Sequence, residues 1–111
     1  MASYEPAPGD VVWLRFDPQA GHEQSDRRLA LVLSPVEYNR ATHLMVCCPL
    51  ITQQKGYPFE VPVEDNTGSA VLADQVRNLD WVARQAEYRG RVAENVLSRV
   101  RQKARALVGE P

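Results

Sequence analysis

His43-Leu44-Met45-Val46-Cys47-Cys48-Pro49-Leu50-Ile51-Thr52 is the stretch that decides how the rest of the chain is read. It is apolar at nearly every position, so it reads as a strand covered on both faces and central in its sheet. Upstream, Leu29–Ser34 is a second apolar run of strand length, stopped by Pro35. Val36–Ala41 connects the two runs and has room for a short helical turn. Val11–Phe16 reads as a further strand, ended by Asp17-Pro18. Downstream, Gln53-Gln54-Lys55-Gly56 makes a turn, and Phe59–Val63 alternates apolar with polar as an edge strand does; Pro62 fits an edge because it cannot donate to a ladder. Ala70–Ala73 and Gln75–Leu79 read as short strands on either side of Asp74, and one more strand fits near Tyr88–Val92. Val96, Leu97, Val100, Ala104, Leu107 and Val108 then recur at helical spacing up to Gly109. The expected class is α+β, mostly β: a small, partly open barrel of short antiparallel strands closed by a C-terminal amphipathic helix.

With 111 residues the chain is expected to form one domain, 1–111, with residues 1–8 as a loose start. No apolar run approaches the roughly 20 residues of a membrane span, and Met1-Ala2-Ser3-Tyr4-Glu5-Pro6 has no secretory pattern, which points to a cytoplasmic protein. Cys47 and Cys48 are neighbours in a strand and should face opposite ways, so they are badly placed to share a metal or a bridge. Two histidines far apart in sequence add no ligand spacing, and no Gly-rich phosphate loop is present, so neither a metal nor another cofactor is expected. The net charge of -1 hides an asymmetry: Arg77 to Arg105 holds eight Lys or Arg against three acids. Such a surplus suits an anionic ligand or an acidic partner, and a solvated helix face explains it equally well.

Chemistry concentrates in Gly21-His22-Glu23-Gln24-Ser25-Asp26-Arg27-Arg28, a polar loop mounted between two strands. A proton-transfer group beside a fixed cation is what phosphodiester cleavage requires. Arg28 is the best cation, because its planar fork can hold two phosphate oxygens at once. A loop salt bridge between Glu23 and Arg28 is the competing reading of the same residues. Trp13 and Trp81 read as core or interface aromatics, and His43 as structural.

Taken together and in order, several landmarks resemble the MazF/PemK (Kid) family of toxin endoribonucleases, or mRNA interferases. They are Pro8-Gly9-Asp10, Phe16-Asp17-Pro18, Gly21-His22-Glu23-Gln24, Ala30-Leu31-Val32-Leu33-Ser34, Pro49-Leu50-Ile51-Thr52-Gln53, Lys55-Gly56-Tyr57-Pro58-Phe59-Glu60-Val61 and Ala73-Asp74-Gln75-Val76-Arg77. The resemblance implies an SH3-like barrel of the CcdB/Kid/MazF type acting as a homodimer. It implies metal-independent, sequence-specific cleavage of single-stranded RNA through a 2′,3′-cyclic phosphate and a 5′-OH. It also implies a cognate antitoxin whose acidic, disordered tail blocks the RNA groove.

By motif, the resemblance maps the catalytic arginine to Arg28, the catalytic threonine to Thr52 and the loop pair to Glu23-Gln24. Asp74-Gln75-Val76 maps to the segment lining the RNA groove. The family places proline after the arginine and this chain has Leu29, which leaves the Arg28 backbone less restricted and lets Arg27 share the role. Glu23 either draws the proton from the 2′-OH or orients Arg28; His22, with a pKa suited to proton transfer, is a lesser candidate. Gln24, Lys55, Asp74 and Gln75 are the expected RNA contacts, although Lys55 at a turn tip reads equally as solvated and Thr52 as an ordinary strand end. Two rivals stay open: a CcdB-like toxin that binds a topoisomerase without cutting, and an inactive module that binds an acidic tail.

Overall fold

The computed structural model describes residues 3–15 and 27–109. Seven strands run β1 (Asp10–Arg15), β2 (Arg27–Val32), β3 (Leu44–Ile51), β4 (Glu60–Pro62), β5 (Ala70–Leu72), β6 (Arg77–Asp80) and β7 (Glu87–Arg91). Two helices join them, α1 (Val36–Thr42) after β2 and α2 (Glu94–Val108) at the end. All pairings are antiparallel, in the order β4-β5-β3-β2-β1-β7, with β6 also on β3. As its apolar sequence required, β3 is central: β2 lies along one side, and the other is shared between β6, opposite Leu44–Cys47, and β5, opposite Leu50–Ile51. Pro49 stands at that changeover, where the ladder on this side is already interrupted. Among the described residues β4, with Pro62, pairs only with β5 and is an edge.

The sheet has a core on each face, because successive strand residues point opposite ways. On one face Val11, Leu31, Cys48, Val61 and Val71 meet Val96, Leu97 and Val100 of α2. On the other, Val12, Leu14, Ala30, Val32, Met45 and Cys47 cluster, with Tyr4, Trp81 and Ala86 packed against one part. The adjacent cysteines therefore belong to different cores and both are free thiols; burial pushes Cys47 up to about 11 and Cys48 up to about 12.

The barrel is partly open, as expected, since among the described residues no ladder joins β4 to β7. Two expectations need correction. Residues 3–8 are tied down rather than loose: Tyr4 donates its hydroxyl to Asp10 Oδ2 at 2.6 Å, and Ala7 N–H donates to the same oxygen at 3.0 Å. Arg91 pairs with Asp10 Oδ1 at 2.7 Å, so a carboxylate only 4% exposed carries three donors. Finally, only Val96, Leu97, Val100 and Ala104 of the α2 stripe are buried; Leu107 and Val108 are 50% and 82% exposed.

A buried polar knot joins the N-terminal segment to this frame. Asn39 donates to Pro6 O at 2.9 Å and Ser34 O at 3.1 Å, and accepts from Ser34 Oγ at 2.6 Å. Its carbonyl receives Trp81 Nε1 at 2.8 Å, which fits the core role expected for Trp81.

Candidate active site

The β2–β3 register pairs Ala30 with Pro49 and Leu31 with Cys48. Followed toward the start of β2, it brings Arg27 and Arg28 alongside Ile51 and Thr52. Residues far apart in sequence thereby share one groove of about 430 Å³: Arg27, Arg28 and Thr52 all line it, the last two exposed. Lys55 and Gln53 form its far wall and Trp13 its near one.

Arg27 and Arg28 are neighbours on a strand, and the pleat sends them to different faces. Arg27 is held: its guanidinium lies 4.9 Å from the centroid of the Trp13 ring and donates to Glu87 Oε1 at 2.8 Å. A cation–π contact and a partly exposed ion pair of this kind contribute about 0.5–1 kcal/mol each, enough to set a rotamer. Arg28, opposite Leu14 on β1, instead borders the face that α2 does not cover. Leu29, in the place of the family's proline, lies opposite Trp13 and packs toward the α2 core.

Lys55 is presented by a turn held from within. The Glu60 carboxylate accepts the Lys55 N–H at 3.0 and 3.1 Å and the Gly56 N–H at 3.2 Å. Gly56 has φ +81°, a backbone shape that favours glycine. Lys55 borders both the Arg28–Thr52 groove and a shallower hollow shared with Tyr57 and Gln75.

Asp74 and Gln75, expected side by side on the RNA, separate. Asp74 accepts the Tyr57 hydroxyl at 2.5 Å, and its other oxygen is buried without a hydrogen-bond partner among the described residues. That bond raises the Tyr57 phenol above its ordinary pKa. Asp74 thus braces the Lys55–Tyr57 loop through one carboxylate oxygen. Gln75 is exposed, next to Ile51 and Lys55. Glu23, Gln24 and His22 lie outside the described residues.

The basic C-terminal third does not act as one patch. Arg101 donates to Leu33 O at 2.5 Å, Lys103 Nζ to Pro58 O at 3.3 Å, and Arg99 lies 3.6 Å from Glu64; these groups fasten α2 to the sheet. Arg77 and Arg84, by contrast, border a cleft beside Arg28. Sequence reasoning missed this cleft, and it missed Trp13 as a groove wall. Alternation along β1 separates Trp13 from Leu14, but nothing local reveals that the Trp13 side stays partly open. Among the described residues, no three of His, Cys, Asp and Glu gather as metal ligands would, and no helix is long and apolar enough to cross a membrane.

Comparison with known proteins gives a consistent picture. Residues 7–108 match the model of the PemK-like, MazF-like toxins of type II toxin–antitoxin systems. The endoribonuclease toxin MazF of Escherichia coli is 44% identical over 110 residues, covering 98% of this chain and 99% of its own. The endoribonuclease PemK of Escherichia coli is 32% identical over 98 residues, 83% of this chain and 74% of its own. In a crystal structure of MazE–MazF from Deinococcus radiodurans, the matching chain superposes with a TM-score of 0.86 at 43% identity, over 98% of this chain and 100% of its own.

Proposed function

This chain belongs to the PemK-like, MazF-like family of toxins and is an endoribonuclease of a type II toxin–antitoxin system; on that premise we propose how it cuts. The substrate is single-stranded RNA, cleaved at specific sequences by attack of a ribose 2′-oxygen on the adjacent phosphorus. The P–O5′ bond breaks, leaving a 2′,3′-cyclic phosphate and a 5′-OH. One proton leaves the 2′-OH and one reaches the departing oxygen, so no metal is needed.

The observation that carries this reading is the shared groove of Arg28 and Thr52. Negative charge accumulates on the phosphorane oxygens, and a fixed guanidinium beside them lowers the barrier. The Thr52 hydroxyl donates to one of the same oxygens. Glu23, on the loop leading into Arg28, takes the 2′-OH proton or orients the guanidinium. Lys55 holds a neighbouring phosphate, and Gln75 with Gln24 meets base edges, which single-stranded RNA displays openly. The protein acts in the cytoplasm as a homodimer and is neutralised by a cognate antitoxin with an acidic, disordered tail. The relatives' MazE–MazF complex supports that partner.

The test is incubation of the purified protein with long single-stranded RNA in excess EDTA, followed by mapping of the ends. Discrete cuts with cyclic-phosphate and 5′-OH termini are expected. Arg28→Ala should reduce the rate by about 10²–10³-fold, the usual loss when one transition-state donor is removed. Intact RNA with the wild type would overturn this reading in favour of a CcdB-like toxin that binds without cutting.

A further inference from the structure

The cleavage chemistry above leaves Arg27 unused, although it lines the same groove as Arg28 and Thr52. Its setting is built from three strands. Trp13 on β1 faces Leu29 of β2 on one side and Glu87 of β7 on the other. Arg27 lies two residues from Leu29, so Arg27, Trp13 and Glu87 share one face of the sheet. The guanidinium stands 4.9 Å from the centroid of the Trp13 ring, and its Nη2 donates to Glu87 Oε1 at 2.8 Å. The arginine side chain is 25% exposed and the glutamate 68%, which puts the cation against the groove wall and the acid at the solvent rim. The depression does not end at that wall. Trp13 and Thr52 also line an adjoining hollow of about 440 Å³, together with Thr67, Ser69 and Arg89 beside the carboxylate of Asp65.

We propose that Arg27 holds a second phosphate of the RNA, on the Trp13 side of the linkage that rests on Arg28, with Glu87 as the counter-charge that moderates its grip. The inference deepens the endoribonuclease reading above and rests on it. Successive Cα atoms on a strand lie about 3.8 Å apart and their side chains diverge, so two neighbouring guanidiniums reach two different phosphates. Stacking uses the flat face of Arg27 and presents its N–H groups edge-on, the orientation in which a planar fork meets phosphate oxygens. Glu87 shares that charge from the solvent side, and an exposed ion pair is weak enough for a phosphate to compete with it. Lys55 stands on the opposite wall, and the adjoining hollow gives an extended single strand room to continue past Trp13.

The test uses the full chain and a short single-stranded RNA spanning one mapped cut site. Arg27→Gln should raise KM about fivefold with kcat unchanged, because the lost contact is the same before and during reaction. Affinity for the same RNA carrying a 2′-deoxyribose at the cut should lose about 0.7 of a logarithmic salt slope, the share of one phosphate on a single strand. Arg27→Lys keeps the charge and should keep that slope. Glu87→Gln keeps an acceptor for Arg27 but removes the competing charge, and should lower KM about twofold. A merely structural triad would not give these opposite signs, and the exposed Glu87 keeps the test decisive if Arg27→Gln fails to fold by circular dichroism. The proposal is overturned if Arg27→Gln leaves KM and the slope unchanged, or if Glu87→Gln raises KM. It is also overturned if Arg27→Gln loses affinity for a Glu-rich peptide and not for RNA, because the site then serves a protein partner. A wild type that neither binds nor cuts RNA would instead sink the underlying function.

Discussion

The two faces of the sheet are built from the same strands and finished differently. On one, α2 lays Val96, Leu97 and Val100 over Val11, Leu31 and Cys48, while farther along the same face Trp13, Leu29 and Thr52 border the groove. On the other, Val12, Val32 and Met45 are fully buried, but Ala30 and Cys47 border a cleft that remains partly open. Arg28 emerges on that second face and Arg27 does not. The difference teaches that chemistry here sits where covering runs out. A fully covered stretch leaves no room for a substrate, and a fully bare one would lack the packed support that holds a cation in place.

The comparison predicts opposite outcomes on the two faces. Leu97→Ala in the stretch covered by α2 should cost roughly 2–5 kcal/mol of stability while leaving the cleavage pattern of the folded fraction unchanged. Urea unfolding and end-mapping of the same sample check both halves; altered cut sites would show that α2 shapes the RNA groove. Asn39→Ala should cost about 1–3 kcal/mol, because Pro6 O and Ser34 Oγ lose a buried partner. Faster proteolysis of residues 3–8 should accompany that loss, and a variant as stable as the wild type would refute the role given to the knot. The smallest effect belongs to Lys55→Ala at the groove's far wall. It should weaken RNA binding to a similar degree for all sequences and lower the salt dependence by about 0.7 of a logarithmic slope, the share of one phosphate on a single strand. A change confined to one sequence would make Lys55 a reader of bases.

Element order was legible in sequence because strand and helix periodicity are local. The apolar His43–Thr52 run became central β3, and Pro62 marked an edge. Boundaries drifted where pairing extends a strand beyond its apolar run: β2 begins at Arg27, two residues before the apolar stretch, since β1 offers Arg15 and Leu14 as partners. The exposed end of α2 was not legible because helical spacing marks a face and not how far along it burial extends.

Arg28, Thr52, Lys55 and Gln75 were named from motif, and their residue types alone specify what each can donate or accept. The separation of Arg27 from Arg28 follows from the pleat, yet which of them would face the uncovered side depended on register against β1 and β3. Asp74 looked like a partner of Gln75 until Tyr57, arriving from another loop, claimed its carboxylate.

Composition and periodicity thus determined by themselves the succession of strands along the chain, the closing helix and the inventory of chemical groups. Only the tertiary structure decided that an arginine at the start of one strand and a threonine beyond the end of another share a groove, with an arginine-rimmed cleft beside it. The reason is physical: periodicity is set by neighbours a few residues apart, while convergence is set by long-range pairing and by which face the rest of the chain happens to cover.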